Sequence, residues 1–165
     1  MQKEHGYQIT INWTGNRGSG TSDYKSYERS HTISHEGKTV IEGSSDPAFR
    51  GDGSKYNPEE LLVAALSSCH LLSYLHLCAV NGVVVESYQD NATGIMRETP
   101  DGGGHFTEVT LHPVVVISHE SMTEKAIKLH HKASELCFIA NSMNFSVKHE
   151  PRVRVTMDGI DNSLL

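Results

Sequence analysis

Before residue 57 the chain is written in the period of two that a half-buried strand requires. "YQITINWTG" (7–15) alternates and is β-branched, which predicts a strand. "NRGSGTSD" is a loop marked by Gly, Ser and Asn, "YKSYERSHTIS" (24–34) predicts a second strand, "HEG" a turn and "KTVIEGS" (38–44) a third strand. The Gly- and Pro-rich "SDPAFRGDGSKYN" then excludes regular structure, and a loop of that length in a compact domain is often functional. At "NPEELLVAALSSCHLL" the pattern changes. Asn57 is placed as an N-cap, Pro58 as the first helical residue, Glu59 and Glu60 in the first turn, and Asn81-Gly82 as the stop. The helix is apolar nearly all round, so it is expected to be buried on most sides. "VVVESYQDNATGIMRE" (83–98) predicts a strand, "TPDGGGH" a hairpin loop and "FTEVTLHPVVVIS" (106–118) its return. "MTEKAIKLHHKASELCFIANSM" (122–143) predicts a second helix, with Ile127, His130, His131, Ser134 and Cys137 along one side. "FSVKHEPRVRVTM" (145–157) is the last strand. The order βββ-α-ββ-α-β predicts an α+β fold with two long central helices packed on antiparallel β-sheet. No repeat or linker interrupts it, so residues 1–165 are expected to form a single domain.

Composition narrows the class. At 165 residues the chain can bury a real core, and 37% hydrophobic with 21% charged residues describes a soluble globular protein. The formal net charge of -6 is scattered, which argues against a nucleic-acid or anionic-membrane partner. The most apolar stretch is the helix around Cys69, and Ser67, Ser68, Ser73 and His76 interrupt it. The N-terminus has no apolar signal core. These features predict a cytoplasmic protein with no membrane partner. Three cysteines do not make a disulfide framework, and in a reducing compartment a cysteine pair is more often catalytic or metal-binding than structural.

Which cysteines pair is a matter of helical geometry. Cys78 follows Cys69 by nine residues, so a straight helix sets them about 13 Å apart on opposite faces, beyond the reach of a disulfide. Cys69 and Cys137 lie on separate helices, and packed helices with axes about 8–10 Å apart permit a bridge without demanding one. A buried helical cysteine is commonly core filling, and that reading suits Cys78. A thiolate nucleophile needs a positive group, and Cys69 sits three turns from its helix start, out of range of the dipole. Arg17, in a Gly-rich loop, is the first candidate, although a solvated loop arginine has the same signature. Arg29 and Arg50 come next. The rival class is metal binding. His70, His76, His130 and His131 share the two helices with the cysteines, but no CxxC or HxxxH spacing occurs within them, and His70 and His76 face about 240° apart. The sequence gives His70, His130 and His131 no role.

"NPEELLVAALSSC" resembles the signature of the OsmC/Ohr family of osmotically inducible and organic hydroperoxide resistance proteins: Asn-Pro-Glu-Glu-Leu, then Ala-Ala, then a cysteine ten residues past the first Glu. "WTGNRGSGT" is similar to the family's early Trp-x-Gly segment and its arginine, "FRGDGSKYNPEEL" to its Phe-x-Gly loop, and "ELCFIANS" falls where the second cysteine stands. Phe138-Ile139-Ala140 replaces the frequent Pro-Val-Ser after that cysteine and His70 directly follows Cys69, which marks a divergent branch.

The resemblance implies an OsmC-like fold, an intertwined homodimer with sites at its interface, and a thiol-dependent peroxidase that reduces organic hydroperoxides to alcohols. It implies Cys69 as the peroxidatic cysteine, Cys137 as the resolving one, Arg17 as activator of the thiolate and Glu59 as the arginine's partner. It implies an external dithiol, in the family often a lipoyl protein, as reductant; no cofactor is expected, and the His and Cys spacings predict no metal site. Leu71, Leu72 and Phe138 suit a fatty or aromatic hydroperoxide. Glu59 and Cys69 are about 15 Å apart along one helix, which a two-fold dimer would reconcile. The alternative is a non-catalytic small-ligand-binding or metal-binding protein on the same fold.

Overall fold

The computed structural model describes residues 3–156, so Met157, the end of the expected last strand, lies outside the described residues. The chain divides into two compact units, residues 1–62 and 63–165.

In the first unit, β1 (Thr10–Trp13), β2 (His31–Ser34) and β3 (Ile41–Gly43) form a three-stranded antiparallel sheet in sequence order. The three expected strands are present but shorter. Tyr24–Ser30 is not strand, because Arg29 binds it locally: its guanidinium donates to the carbonyls of Tyr24 (2.8 Å) and Tyr27 (2.7 Å) and lies over both rings at 4.3 and 4.2 Å. Those interactions compete with strand pairing. The long loop contains one 3₁₀ turn, Pro47–Phe49, capped by the Asp46 carboxylate (2.7 Å to the Ala48 N–H). At its end the predicted N-cap forms a reciprocal box. The Asn57 side chain accepts from the Glu60 N–H at 2.8 Å, and Glu60 accepts from the Asn57 N–H at 3.1 Å.

Helix α1 (Pro58–Val80) starts there and ends where Gly82 takes a φ of 71°. The Val83 N–H then closes on the Cys78 carbonyl at 2.9 Å, a Schellman stop. By length and composition α1 could cross a membrane. Its Leu66, His70, Tyr74 and Cys78 form a line at intervals of four residues, buried in the second unit. Burial on most sides is corrected: Leu72 is 67% exposed and Val80 64%.

The second unit has more strands than the sequence predicts. Each expected long strand bends once and changes sheet. Residues 83–98 give β4 (Val85–Asp90) and β5 (Thr93–Glu98), and residues 106–118 give β6 (Gly104–Leu111) and β7 (Pro113–Ile117). One carboxylate holds both bends. Asp90 accepts from the His112 N–H at 2.7 Å and from Ser67 Oγ on α1 at 2.6 Å. After α2 (Thr123–Leu136), Glu150-Pro151 splits the last strand into β8 (Ser146–His149) and β9 (Arg152–Val155). Proline has no N–H to give to a ladder. The two resulting sheets have the orders β4-β7-β9 and β5-β6-β8, with β4·β7 and β5·β6 antiparallel but β6·β8 and β7·β9 parallel. The α+β class stands, as do the three opening strands before α1. The wholly antiparallel sheet is corrected, because a strand returning after α2 runs alongside its neighbour.

The buried face of α2 is Ala126, His130 and Ala133, not the stripe through Ile127 and His131, both of which are exposed. The helix also ends earlier than expected. Cys137 is its C-cap in an extended conformation (φ -71°, ψ 107°), and a 3₁₀ turn, Ala140–Ser142, follows. The Asn141 side chain stops it by donating to the Glu135 carbonyl at 2.9 Å.

Candidate active site

One face of α1 is left open in the second unit. Ala65, Ser68, Cys69, Leu72, Ser73 and His76 recur at spacings of three and four, and so form a continuous stripe. With Leu136, Phe138 and Ile139 opposite, they enclose a groove of about 660 Å³. Its walls are mainly apolar, and Phe138 is 82% exposed. Leu71, expected to join this surround, does not line the groove. A residue two places from Cys69 is carried about 200° round the helix.

The Cys69 thiol forms part of the groove wall and is partly exposed, whereas Cys137 is only 1% exposed. The two thiols are neighbours. Burial and a hydrogen bond with Cys69 push the Cys137 thiol up to about 11, offset in part by the N–H groups of Ala140 and Ile139. The Ala140 N–H donates to Cys137 Sγ at 3.4 Å. At neutral pH a thiol so raised is almost wholly protonated and a poor first nucleophile. Cys78 is 1% exposed, and burial raises its thiol despite an opposing hydrogen bond with Tyr74, as its core-filling reading requires.

Arg17 and Glu59 belong to the first unit. Arg17 pairs with the carboxylate of Glu28, through both its Nε (3.1 Å) and its terminal nitrogen. Glu28 therefore replaces Glu59 as the carboxylate that Arg17 meets in this chain. Arg17, Glu28, Arg29, Arg50 and Asp52 line a second, polar cavity of about 250 Å³. Of the four residues singled out by sequence, the structure brings together Cys69 and Cys137 in one unit. Glu28 was missed, and β-spacing gives no sign of it. Ser68, Ser73 and His76 were missed although helical periodicity from Cys69 was enough to find them.

Behind the groove, one residue round the helix, stands a group of histidines of which His70 and His130 are buried. His70 Nε2 lies 3.1 Å from His130 Nδ1, and the His130 ring stacks on Tyr74 with centroids 3.8 Å apart. His149 of β8 sits 5.7 Å from His70 and 4.9 Å from His131. Burial and neighbouring histidines drive the pKa of His70 down to about 4 and of His130 to about 3, so both rings are neutral. Among the described residues, no three His, Cys, Asp or Glu side chains converge in a way that could hold a metal ion.

The comparisons with known proteins agree with this architecture. An OsmC-like protein of unknown function from Vibrio cholerae superposes with a TM-score of 0.81 at 36% identity, covering 90% of this chain and 99% of that one. A Legionella pneumophila organic hydroperoxide resistance protein superposes at 0.66 with 20% identity over 93% of this chain and all of that one, a likeness of fold. The uncharacterized protein YmaD of Bacillus subtilis is 24% identical over 159 residues, 94% of this chain and 98% of its own length. The profile of the OsmC-like proteins matches residues 51–152, which include the helix-opening Asn57-Pro58, Cys69 and Cys137, and the chain belongs to the OsmC-like family.

Proposed function

We propose that this protein is a thiol-dependent peroxidase acting on organic hydroperoxides, with Cys69 as the peroxidatic and Cys137 as the resolving cysteine. The observation that carries the reading is the placement of Cys69 on the wall of an apolar groove with the buried Cys137 thiol against it. The Cys69 thiolate attacks the outer oxygen of the hydroperoxide, the O–O bond breaks, and an alcohol leaves. Cys69 becomes a sulfenic acid. Cys137 displaces water from it to form a disulfide, and an external dithiol, such as a lipoyl protein's, returns both thiols. The groove favours a fatty or aromatic hydroperoxide over hydrogen peroxide.

Arg17 is assigned to stabilise the thiolate and the developing alkoxide, and Glu59 to hold the arginine in a homodimer. A dimer is supported by what the chain leaves uncovered. Leu72 and Phe138 are exposed at the groove, and Tyr7, Ile9, Ile11 and Trp13 in and before β1 are exposed at alternate positions. The family match runs across both units, which supports reading 1–165 as one OsmC-like domain. A cytoplasmic setting, where reduced thiols persist, suits the cycle.

The test is stopped-flow oxidation of the reduced protein by cumene hydroperoxide and by hydrogen peroxide, followed by peptide mass mapping. The expected result is faster oxidation by the organic peroxide and a Cys69–Cys137 bridge. Thiols inert to both peroxides would instead favour a ligand-binding protein on this fold.

A further inference from the structure

We infer that the external reductant attacks the sulfur of Cys69 in the Cys69–Cys137 disulfide, and that Cys137 is the sulfur that leaves. The inference rests on the thiol-peroxidase reading and adds the direction of its reductive half.

Two features of the second unit bear on the direction: one sets which sulfur is reached, and the other eases the departure of its partner. The first is access. Thiol–disulfide exchange requires the incoming thiolate to approach along the S–S axis, from the side opposite the leaving sulfur. Cys69 presents its side chain to the groove, whereas Cys137 is 1% exposed behind it. A thiolate entering the groove therefore meets Cys69.

The second feature is the end of α2. The chain leaves the helix at Cys137 in an extended conformation and turns at once into the Ala140–Ser142 3₁₀ turn. That reversal folds the backbone back over the sulfur, so the Ala140 N–H donates to Cys137 Sγ at 3.4 Å. Asn141 fixes the turn, its N–H on the Cys137 carbonyl at 3.0 Å and its side chain on the Glu135 carbonyl at 2.9 Å. A backbone donor aimed at a sulfur favours its anionic form, so it offsets part of the rise that burial imposes on Cys137 and eases the departure of that sulfur once Cys69 is attacked.

The balanced sequence runs in two displacements. A thiolate of the dithiol bonds to Cys69 Sγ, the Cys69–Cys137 bond breaks, and its electron pair leaves on Cys137, which takes a proton from solvent. The second thiolate of the reductant then attacks the reductant's own sulfur in the mixed disulfide. The reductant closes as a cyclic disulfide and Cys69 departs as a thiolate. Two electrons have moved, and Cys69 emerges in the protonation state that its reaction with peroxide needs. Leu72, Leu136 and Phe138 on the groove walls suit a dithiol carried on an aliphatic arm better than a charged one.

The experiment uses the full chain, oxidised with diamide so that disulfide formation does not depend on peroxide. The oxidised protein is mixed briefly with 2-mercaptoethanol, quenched in acid, alkylated with iodoacetamide and mapped by peptide mass spectrometry. The expected result is mercaptoethanol on Cys69 and alkylation of Cys137, in excess of the reverse by about tenfold or more. Mercaptoethanol on Cys137 overturns the inference. Failure of diamide to join the two cysteines overturns both the inference and the peroxidase cycle. A bridge made by diamide but not by hydroperoxide sinks the cycle alone, and the adduct's position still decides the direction. Ala140→Pro, which removes one donor, should slow the 2-mercaptoethanol step about three- to tenfold. Ala140→Gly should reduce at the parent rate, and an equal slowing in it would remove the donor's role.

Discussion

Cys69 and His70 are adjacent in sequence and face different surroundings. Cys69 belongs to the open stripe of α1, with Leu72, Ser73 and His76 on the groove wall. His70 belongs to the line of Leu66, Tyr74 and Cys78 that is buried in the core. One step of about 100° round a helix separates a thiol that small molecules can reach from an imidazole that they cannot. The comparison shows how to sort polar residues in an apolar helix. Those on the open stripe are free to react, and those on the buried line must be satisfied in place or held neutral.

The sharpest break between the faces is catalytic. Cys69→Ser should abolish peroxidase turnover, while Cys78→Ser, on the buried line against Tyr74, should leave kcat/KM within about twofold. Steady-state assays with cumene hydroperoxide and a dithiol check both variants, and comparable losses in the two would put the wrong cysteine in the groove.

Stability should show the reverse bias. Tyr74→Ala removes a ring that stacks on His130 and donates to the Ala126 carbonyl at 3.2 Å, and should cost about 3–5 kcal/mol. Leu72→Ala, at a residue 67% exposed, should cost below about 1 kcal/mol. Urea midpoints at one protein concentration compare them. A large cost for Leu72→Ala that grows on dilution would indicate a second copy covering the groove face.

Acid should act on the buried line first. The folded-state pKa values of His70 and His130 lie near 4 and 3, below the ordinary 6.5, so the unfolded chain binds more protons between those values. Their contribution is complete above about pH 6.5 and is lost as pH falls below it. Facing them are His131 of α2, His149 of β8, Tyr74 of α1 and Asp90 of β4, with Tyr88 of β4 against Tyr74. Asp90 opposes the shift of His70, and the other histidines reinforce the shifts. The urea midpoint should fall between pH 6.5 and 5, above the carboxylate range, by the equivalent of about 2–3 kcal/mol. His130→Phe should flatten that dependence. A midpoint level or rising toward pH 5 in the parent would contradict neutral buried histidines.

The smallest effect is expected from the first unit. Arg17→Ala should slow alkylation of Cys69 at pH 7, and its oxidation, by about tenfold, and Arg17→Lys should recover part of the loss, since a point charge lacks the planar fork. Its exposed ion pair with Glu28 should contribute under about 1 kcal/mol, so the melting temperature should hardly move. Glu59→Gln should be milder still. An unchanged alkylation rate in Arg17→Ala would pass the role to Arg29 or Arg50.

What the sequence determined by itself was local. Asn57, Pro58, Glu60 and Gly82 define α1 because capping and chain reversal depend on residues a few positions apart. The separation of Cys69 from Cys78 follows from helical period alone, and the family signature follows from contiguous letters. Tertiary structure decided what depends on distant partners. Asp90 bends two long strand patterns into four strands by reaching Ser67 and His112. The strands after α2 add in parallel. Asn141 ends α2 at Leu136 and so sets Cys137 in a turn where the Ala140 N–H meets its sulfur. Glu28 takes Arg17. Each of these outcomes turns on which of several competing hydrogen-bond partners is brought within about 3 Å by the rest of the chain, and residue order does not carry that distance.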